Sequence, residues 1–223
     1  MSITSDTTVG ALATLHPLAT RVFARHGIDY CCGGGQSLSA VCDERGLDLT
    51  GVLAEIEAAL AERTVEEVHW GERPLSELID HILVTYHEPL REELPRIEEM
   101  VRKVHAVHGD KDRPCFDGLL RTFLAIKADI EQHLPKEEQI LFPTIKAGQG
   151  AMAMGPMHVM EMEHETLGGM LREVRSLTND FTLPEGACNT WRALWAALED
   201  LETSLHEHIH LENNVLHPRA REQ

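Results

Sequence analysis

Two segments of the chain repeat the same arrangement of a histidine and a glutamate. His133 is followed four residues later by Glu137, and His208 is followed four residues later by Glu212. On an α-helix this spacing places the imidazole and the carboxylate on one face, one turn apart. In both copies two aliphatic residues and a proline follow the glutamate. Two such helices that face each other would offer nitrogen and oxygen ligands suited to a pair of iron ions.

Two further histidines, His87 and His164, each lie in line with apolar residues at helical spacing. One such histidine alone is more often a hydrogen-bonded core residue than a ligand, but the recurrence of the motif favours a shared metal site. Burying imidazoles and carboxylates without compensation would cost several kcal/mol per charge, which metal ions would offset. The predicted ligands are His87, His133, Glu137, His164, His208 and Glu212.

The mixture of ligands indicates the kind of metal. Carboxylates can bridge two ions while imidazoles complete each coordination sphere, and this set suits iron or manganese better than the thiolate-rich sites of structural zinc. Two bridging glutamates, one bridging oxygen and the histidines leave about one octahedral position open on each metal. An open position would permit binding of a small molecule such as O2 or NO.

Three other residues near these motifs are not predicted ligands, but their positions relative to the site can be predicted. His105, near the end of the first long helix, could reach the mouth of the bundle, and a position around the site or in solvent is the alternative. Glu163 precedes His164 and could line an access path, although a solvated helix-surface carboxylate is the alternative. Glu138 directly follows Glu137 and is predicted to face away from the site.

The elements that must position these residues are predicted to be helical throughout. Aromatic content is 4%, and apolar residues recur at intervals of three and four rather than two. The first part predicts three short helices, at Pro17 to Gly27, at Ser37 to Gly46 and at Thr50 to Arg63. The fold is therefore predicted to be all-α, with a small helical domain at residues 1–66 and a bundle at residues 67–223.

Four long amphipathic helices are predicted in the second domain. They are separated by breaker residues at Gly109 to Pro114, Gly148 to Pro156 and Thr178 to Gly186. This is the pattern of an up-down-up-down four-helix bundle. Pro89 and Pro95 fall within the first of these helices and are predicted to bend it.

Composition excludes several classes of partner. The chain has 223 residues, 43% hydrophobic content and a formal charge of −17, so a nucleic-acid backbone or an anionic membrane would repel it. No secretory signal opens the sequence, and no apolar run approaches the roughly 20 residues that span a bilayer. Five cysteines, two of them adjacent, do not form a disulfide framework. A cytoplasmic location is predicted.

The adjacent pair Cys31 and Cys32 lies in a glycine-rich loop before a predicted helix, where thiolate would be favoured. The pair could bind iron, relay electrons or form a vicinal disulfide, and ordinary reduced thiols are the remaining alternative. Cys42, Cys115 and Cys188 are predicted to be small apolar packing residues.

Taken together, these motifs closely resemble those of the iron-sulfur cluster repair di-iron proteins, a hemerythrin-like family. The resemblance is carried by Asp29–Gly34, Lys136–Pro143, Met154–Pro156, Glu163–His164 and Leu211–Leu216. It implies two non-haem iron ions per chain, bridged by carboxylates and an oxo or hydroxo group, held by the six ligands named above. It also implies a cysteine-bearing amino-terminal domain and a cytosolic homodimer. A fifth histidine of the kind used by oxygen-carrying hemerythrins is not evident, which favours a more open centre.

The resemblance implies a stress-response role in repairing iron-sulfur clusters damaged by nitric oxide or oxidants. Repair could proceed by iron donation, by local NO removal, or by both, with damaged iron-sulfur proteins as partners. Alternative hypotheses are an NO reductase and a hemerythrin-like protein that binds NO or O2 without a repair role. Whether the chain is an enzyme is left open by the sequence.

Overall fold

The described residues of this computed structural model, 3–61 and 68–223, are mainly helical and contain no β-strand, only an isolated bridge between Thr8 and Ser37. The all-α prediction is confirmed. The α-helices are α1 (Val9–Leu15), α2 (Ala19–Arg25), α3 (Leu38–Arg45), α4 (Leu49–Ala61), α5 (Leu75–Ile82), α6 (Glu88–His108), α7 (Arg113–Lys136), α8 (Phe142–Lys146), α9 (Gly150–Leu177), α10 (Asn189–Leu211) and α11 (His217–Ala220). Three wider π-helical turns accompany them, at Leu83–His87, Glu137–Leu141 and Glu212–Leu216.

The chain divides into two compact units. The first comprises Met1–Ile79 with His206–Gln223, and the second comprises Asp80–Leu205, so that α5 and α10 each contribute residues to both. The predicted domain boundary between residues 66 and 67 and the predicted helix end at Arg63 lie outside the described residues. Among the helices that the structure describes, none is long and apolar enough to cross a bilayer.

Helices α1 to α4 enclose the apolar core of the first unit. The side chains of Thr8 and Ser37 cap α1 and α3 by accepting backbone N–H groups, and Gly46 ends α3 with a φ of 67°. The predicted helix from Ser37 to Gly46 is therefore confirmed, whereas α1 was not predicted because its seven residues carry too short an apolar pattern. The core comprises Val9, Leu12, Ala13, Ala19, Val22, Phe23, Ile28, Tyr30, Leu38, Val41, Cys42, Val52 and Ile56.

The second unit contains the predicted bundle of long helices. Helix α7 packs against both α6 and α9. The amino-terminal part of α10 joins them through Trp191, whose ring centroid lies 5.1 Å from that of Phe116 on α7. On the other side Arg175 of α9 binds the buried carboxylate of Glu202 on α10. The apolar faces of the amphipathic helices α6 and α7 are buried, and their residues are Leu90, Leu94, Ile97, Val101, Leu119, Phe123, Ile126 and Ile130.

The three π turns share a hydrogen-bond pattern and a sequence signature. Each is closed by a backbone N–H that donates to the carbonyl five residues earlier: Glu88 to Leu83, Phe142 to Glu137, and His217 to Glu212. Each is followed by a proline at the second position of the next helix: Pro89, Pro143 and Pro218. Proline donates no hydrogen bond and its ring crowds the carbonyl four residues earlier, so a widened turn accommodates it better than a regular α-turn.

The first π turn accounts for the position of one of the two prolines in the first long helix. Pro89 was predicted to bend that helix, and the structure places it directly after the turn Leu83–His87. Pro95 lies inside α6, which continues to His108. One predicted ligand, His87, ends its π turn, and two others, Glu137 and Glu212, begin theirs.

Candidate metal centre

Within the second unit, three histidines surround one glutamate. His133 lies near the end of α7, His164 lies in the middle of α9, and His87 and Glu137 lie in π turns. All four side chains are buried, and His87 and Glu137 are 0% exposed. The helical spacing that places apolar residues in the bundle core places these four groups there as well.

The two oxygens of Glu137 each face a histidine. Oε1 lies 3.1 Å from His133 Nε2, and Oε2 lies 3.5 Å from His87 Nε2. His164 Nε2 lies 3.1 Å from His133 Nε2. Donor atoms bound to one ion at roughly 2.1 Å lie roughly 3.0 to 3.4 Å apart, so these separations fit groups that share metal ions.

The outer nitrogen of His87 is held by a carboxylate. Nδ1 lies 2.7 Å from Glu138 Oε1, and the same oxygen lies 2.5 Å from Arg91 Nη2. Burial raises the pKa of Glu138, but hydrogen bonds from His87 and Arg91 lower it, and the net pKa lies below its usual value. An ionised Glu138 accepts the Nδ1 proton of His87, which leaves the lone pair on Nε2.

His133 has the same arrangement on the other side of Glu137. Its Nδ1 lies 2.8 Å from Glu163 Oε2, and Lys136 Nζ lies 2.5 Å from Glu163 Oε1. Burial raises the pKa of Glu163, while the hydrogen bonds from Lys136 and His133 bring it below its usual value. The proton of His133 is therefore held on Nδ1, and its Nε2 lone pair faces Glu137.

These hydrogen bonds create an electrostatic imbalance that a cation would relieve. Two imidazole lone pairs point at a carboxylate that is fully buried. Neither oxygen of Glu137 accepts a hydrogen bond from any residue that the structure describes. A buried charge without donors is unfavourable, and lone pairs on neighbouring donors repel each other. The donor set of this chain therefore fits a bound metal.

The first unit contains a second histidine and glutamate with the same relationship. His208 Nε2 lies 3.0 Å from Glu212 Oε1, which matches the corresponding separation of His133 and Glu137. Both side chains are buried, and Glu212 is 0% exposed. The repeated sequence motif thus produces the same local geometry twice.

The remaining predicted residues have other surroundings. His105 Nε2 lies 2.6 Å from Asp117 Oδ1 on a partly exposed surface. His105 is not in any of the groups of described side chains that lie close enough together to hold a metal ion. Glu138 was predicted to face away from the site, which is wrong, because it binds His87. One signal in the sequence could have identified this contact. Arg91 lies one turn after His87, just as Lys136 lies one turn after His133.

A cavity of about 130 Å³ reaches the histidines of α7 and α9. Its lining includes both His133 and His164. Lys136 and Glu163, which form the outer hydrogen-bonded pair, lie on the same wall. A diatomic molecule is small enough for this volume, since one water molecule occupies roughly 30 Å³ in the liquid.

The cysteine pair of the first unit is organised around one carboxylate. Asp29 Oδ1 accepts the backbone N–H groups of Cys31 and Cys32 at 3.1 and 3.0 Å, and the Cys31 Sγ at 3.2 Å. The two sulfurs lie 3.9 Å apart and are not joined by a disulfide. The hydrogen bond to Cys32 and burial raise the pKa of Cys31 well above its usual value. The prediction that this position favours thiolate is therefore wrong for Cys31.

The loop that carries these cysteines is held by the segment after Glu212. Asn214 Nδ2 donates to the carbonyls of Tyr30 and Cys31 at 3.3 and 3.0 Å. Asn214 lies in the π turn that Glu212 begins, so both features of the first unit share one backbone segment. The amide therefore fixes the loop conformation relative to that turn.

The other three cysteines have three different environments. Cys42 is buried in the core of the first unit, as predicted. Cys115 is partly buried, and its Sγ donates to the carbonyl of Leu177 at 3.1 Å. Cys188 was predicted to be a packing residue, but it is exposed. It precedes α10, where its side chain remains at the surface.

Comparisons with known proteins cover nearly the whole chain. Residues 78–220 match the sequence model of the hemerythrin HHE cation binding domain, and residues 5–60 match a domain of unknown function, DUF542. The chain is 47% identical over 212 residues to the iron-sulfur cluster repair protein YtfE of Yersinia pseudotuberculosis serotype O:1b, covering 95% of each sequence. It is 46% identical, over the same share of each sequence, to the YtfE protein of Yersinia pestis strain Pestoides F.

Proposed function

The chain belongs to the family of hemerythrin-like iron-sulfur cluster repair proteins, and from this premise we propose that it repairs iron-sulfur clusters damaged by nitric oxide or oxidants. Its partners are proteins that carry such clusters. The observation that carries the proposal is the buried Glu137, whose two oxygens face histidine lone pairs and accept no hydrogen bond from the described residues.

The proposed centre contains two non-haem iron ions per chain. His87, His133, Glu137 and His164 supply one set of ligands, and His208 and Glu212 supply the other. The match of the cation binding domain to residues 78–220, which includes all six, supports this assignment. The similar distances within the two His–Glu pairs, 3.1 and 3.0 Å, support equivalent roles, in which Glu137 and Glu212 would each hold iron through a carboxylate.

Bound iron would supply a redox-active centre with room for a small ligand and a pool of metal for a damaged cluster. The chain itself controls protons and access. Glu138 and Glu163 hold the Nδ1 protons of two histidines, which keeps each Nε2 available as a donor. The cavity beside His133 and His164 would admit NO or O2.

Cys31 and Cys32 are proposed to serve as a thiol pair for iron transfer or electron relay. Asp29 fixes their backbone, and the raised pKa of Cys31 keeps its thiol protonated until a metal or an oxidant reacts. We further propose a small amino-terminal domain at residues 1–66, a bundle domain at 67–223, and a cytoplasmic homodimer. Sedimentation of the metal-loaded protein would test the dimer, and a sedimentation coefficient of a monomer would contradict it.

Metal analysis under anaerobic conditions tests the centre. We expect about two irons per chain, with the coupled Mössbauer signature of a carboxylate-bridged pair. Glu137→Gln and His208→Gln should each reduce the iron content, while Glu131→Gln on the exposed surface of α7 should not. Zinc at full occupancy, or iron retained at wild-type levels in both ligand variants, would contradict the assignment.

A repair assay tests the function. An iron-sulfur enzyme inactivated by nitric oxide is incubated anaerobically with the iron-loaded protein, and recovery of activity is measured. The wild type should restore activity, and Glu137→Gln should not. A double Cys31→Ala, Cys32→Ala variant tests the thiol role against a Cys188→Ser control. If ferrous salt alone restores activity as rapidly as the protein, the repair function is not supported.

A second candidate function, binding or reduction of NO without repair, is favoured by the cavity at His133 and His164. The diferrous protein would then yield nitrous oxide under turnover with excess reductant, which gas chromatography measures. A stable, reversible O2 adduct would instead support a hemerythrin-like binding protein. Cluster repair together with absence of nitrous oxide would argue against the reductase.

A further inference from the structure

The exposed Cys188 lies beside a buried imidazole at the start of α10. His108 Nε2 lies 3.2 Å from the Cys188 Sγ. The carbonyl of Cys188 accepts the N–H of Arg192 at 3.0 Å, so Cys188 occupies the position that caps this helix. Neither Cys188 nor His108 belongs to the groups of described side chains that lie close enough together to hold a metal ion.

The imidazole of His108 is fixed in orientation and in tautomer. Its ring stacks on Trp191, with centroids 5.0 Å apart and planes at 39°, and the residue is 8% exposed. Its Nδ1 is buried and has no hydrogen-bond partner among the described residues. A buried N–H without an acceptor is more costly than a bare lone pair, so the proton resides on Nε2 and is donated to the sulfur.

A hydrogen-bond donor faces the exposed sulfur of Cys188. The Nε2–H of His108 points at it, and the 23-residue helix α10, whose amino-terminal end carries partial positive charge, begins at the next residue. These groups would also attract the carboxylates of an anionic thiol reagent.

Three of the remaining cysteines have environments that suppress the thiolate. Burial raises the pKa of Cys42 and, together with the nearby Asp112, that of Cys115. The pKa of Cys31 is raised by its hydrogen bond to Cys32 and by burial. Thiolate content and exposure together decide which thiol reacts first.

We propose that Cys188 is a site of reversible S-thiolation by low-molecular-weight disulfides such as glutathione disulfide. The Cys188 thiolate attacks one sulfur of the disulfide, and a new S–S bond forms as the original S–S bond breaks. The second half of the disulfide leaves as a thiolate and takes a proton from water. The disulfide is the oxidant, and one of its two thiols is released in reduced form. His108 acts as a positioning residue that donates Nε2–H to the attacking sulfur.

The test is the rate and site of modification by glutathione disulfide. Metal-loaded, reduced protein is incubated anaerobically with the reagent, and adducts are located by intact-mass and peptide mass spectrometry. We expect the first adduct at Cys188, at a rate about tenfold above that of Cys115. The same reaction in denaturant, where the cysteines become equivalent, provides the reference. Cys188→Ser should abolish the first adduct, and Cys115→Ser should leave it unchanged.

Two substitutions of His108 separate hydrogen bonding from packing. His108→Phe keeps the stacking on Trp191 but removes the donor, and it should slow the modification of Cys188 about tenfold. His108→Gln retains an N–H donor and should keep most of the wild-type rate. Circular dichroism verifies that both variants fold, and iron content serves as a separate readout. A first adduct at Cys32, or equal rates for the wild type and His108→Phe, would overturn the proposal.

Discussion

At the scale of the residue, the arrangement of protons around Glu137 distinguishes a metal site from a buried ion pair. Glu138 and Glu163 accept hydrogen bonds from the Nδ1–H groups of His87 and His133. The Nε2 atoms of both histidines therefore face the carboxylate of Glu137. A protein that used this cluster only for structure would place donors on Glu137 instead. The cluster is therefore unfavourable without a cation and stabilising with one.

The substitution Glu137→Gln should separate folding stability from metal binding. The carboxamide removes a buried charge and offers an N–H group to the histidine lone pairs, so the metal-free variant should be about 1–3 kcal/mol more stable than metal-free wild type. With excess iron the order should reverse, because only the wild type binds. Urea unfolding with and without metal measures both. A metal-free variant less stable than the wild type would show that donors already satisfy Glu137.

Loss of either carboxylate that binds a histidine Nδ1, Glu138 or Glu163, should weaken metal binding without removing a ligand. Glu138→Gln releases the Nδ1 proton of His87 from a charged acceptor, and we expect the metal affinity to fall about 10- to 100-fold. Glu163→Gln should act equally through His133. Competition with a chelator of known affinity measures the change, and Glu131→Gln is the surface control. Unchanged affinity in both variants would contradict the role assigned to these carboxylates.

At the scale of the element, π turns place three predicted ligands at points where the helix widens. Glu137 and Glu212 each offer a carbonyl to the N–H five residues later. A π turn holds one residue more than the α-turn it replaces, so the helices on both sides keep their register. The proline that follows each turn disfavours contraction to an α-turn.

A single-residue deletion tests this interpretation of the turn Glu137–Leu141. Removal of Gln139 should convert the turn to regular α-helix while α7 and α8 keep their buried faces, so that the protein stays folded but binds iron more weakly. Removal of Gln132 from the regular part of α7 should instead rotate all following residues by about 100° and destabilise the fold. Circular dichroism, thermal unfolding and iron content distinguish the two. Equal losses of stability would contradict the π-turn account.

The loop that carries the cysteines makes a separate prediction. A Cβ at Gly34 would lie 2.5 Å from Asn214 Oδ1 and 2.8 Å from the Tyr30 carbonyl, whereas a Cβ at Gly35 would meet nothing within 4 Å. Gly34→Ala should therefore destabilise the protein by about 1–3 kcal/mol and loosen the loop. Gly35→Ala should have little effect. Urea unfolding and the alkylation rate of Cys32 measure the two consequences, and equal behaviour of the variants would contradict them.

Local helix geometry explains which parts of the site could be predicted from sequence. The spacing of His133 and Glu137 fixes their proximity on any helix, and the same is true of His208 and Glu212. The bond between His87 and Glu138 joins residues 51 positions apart, and the pair His108 and Cys188 joins residues 80 apart. Such contacts depend on how helices pack, and the wider π turn also changes side-chain directions. Periodicity alone does not contain that information.

At the scale of the whole molecule, the acidic charge and the proposed cations act together. The formal charge is −17, and among the described acidic residues Glu137, Glu202 and Glu212 are buried. Bound cations would reduce this charge and its self-repulsion. Metal binding should therefore contribute both specific coordination and a general electrostatic gain.

Removal of iron should accordingly lower the free energy of unfolding by an amount that depends on the concentration of free iron. At iron concentrations about 1,000 times the dissociation constant, binding contributes about 4 kcal/mol, which corresponds to a rise in melting temperature of about 8–16 °C for a chain of this size. Hydrogen exchange should slow around His133 and within Glu212–Leu216, because both segments supply proposed ligands. Magnesium is the control, since it prefers oxygen ligands and should provide only screening. Protection of His133 without protection of Glu212–Leu216 would limit the centre to the ligands of the second unit.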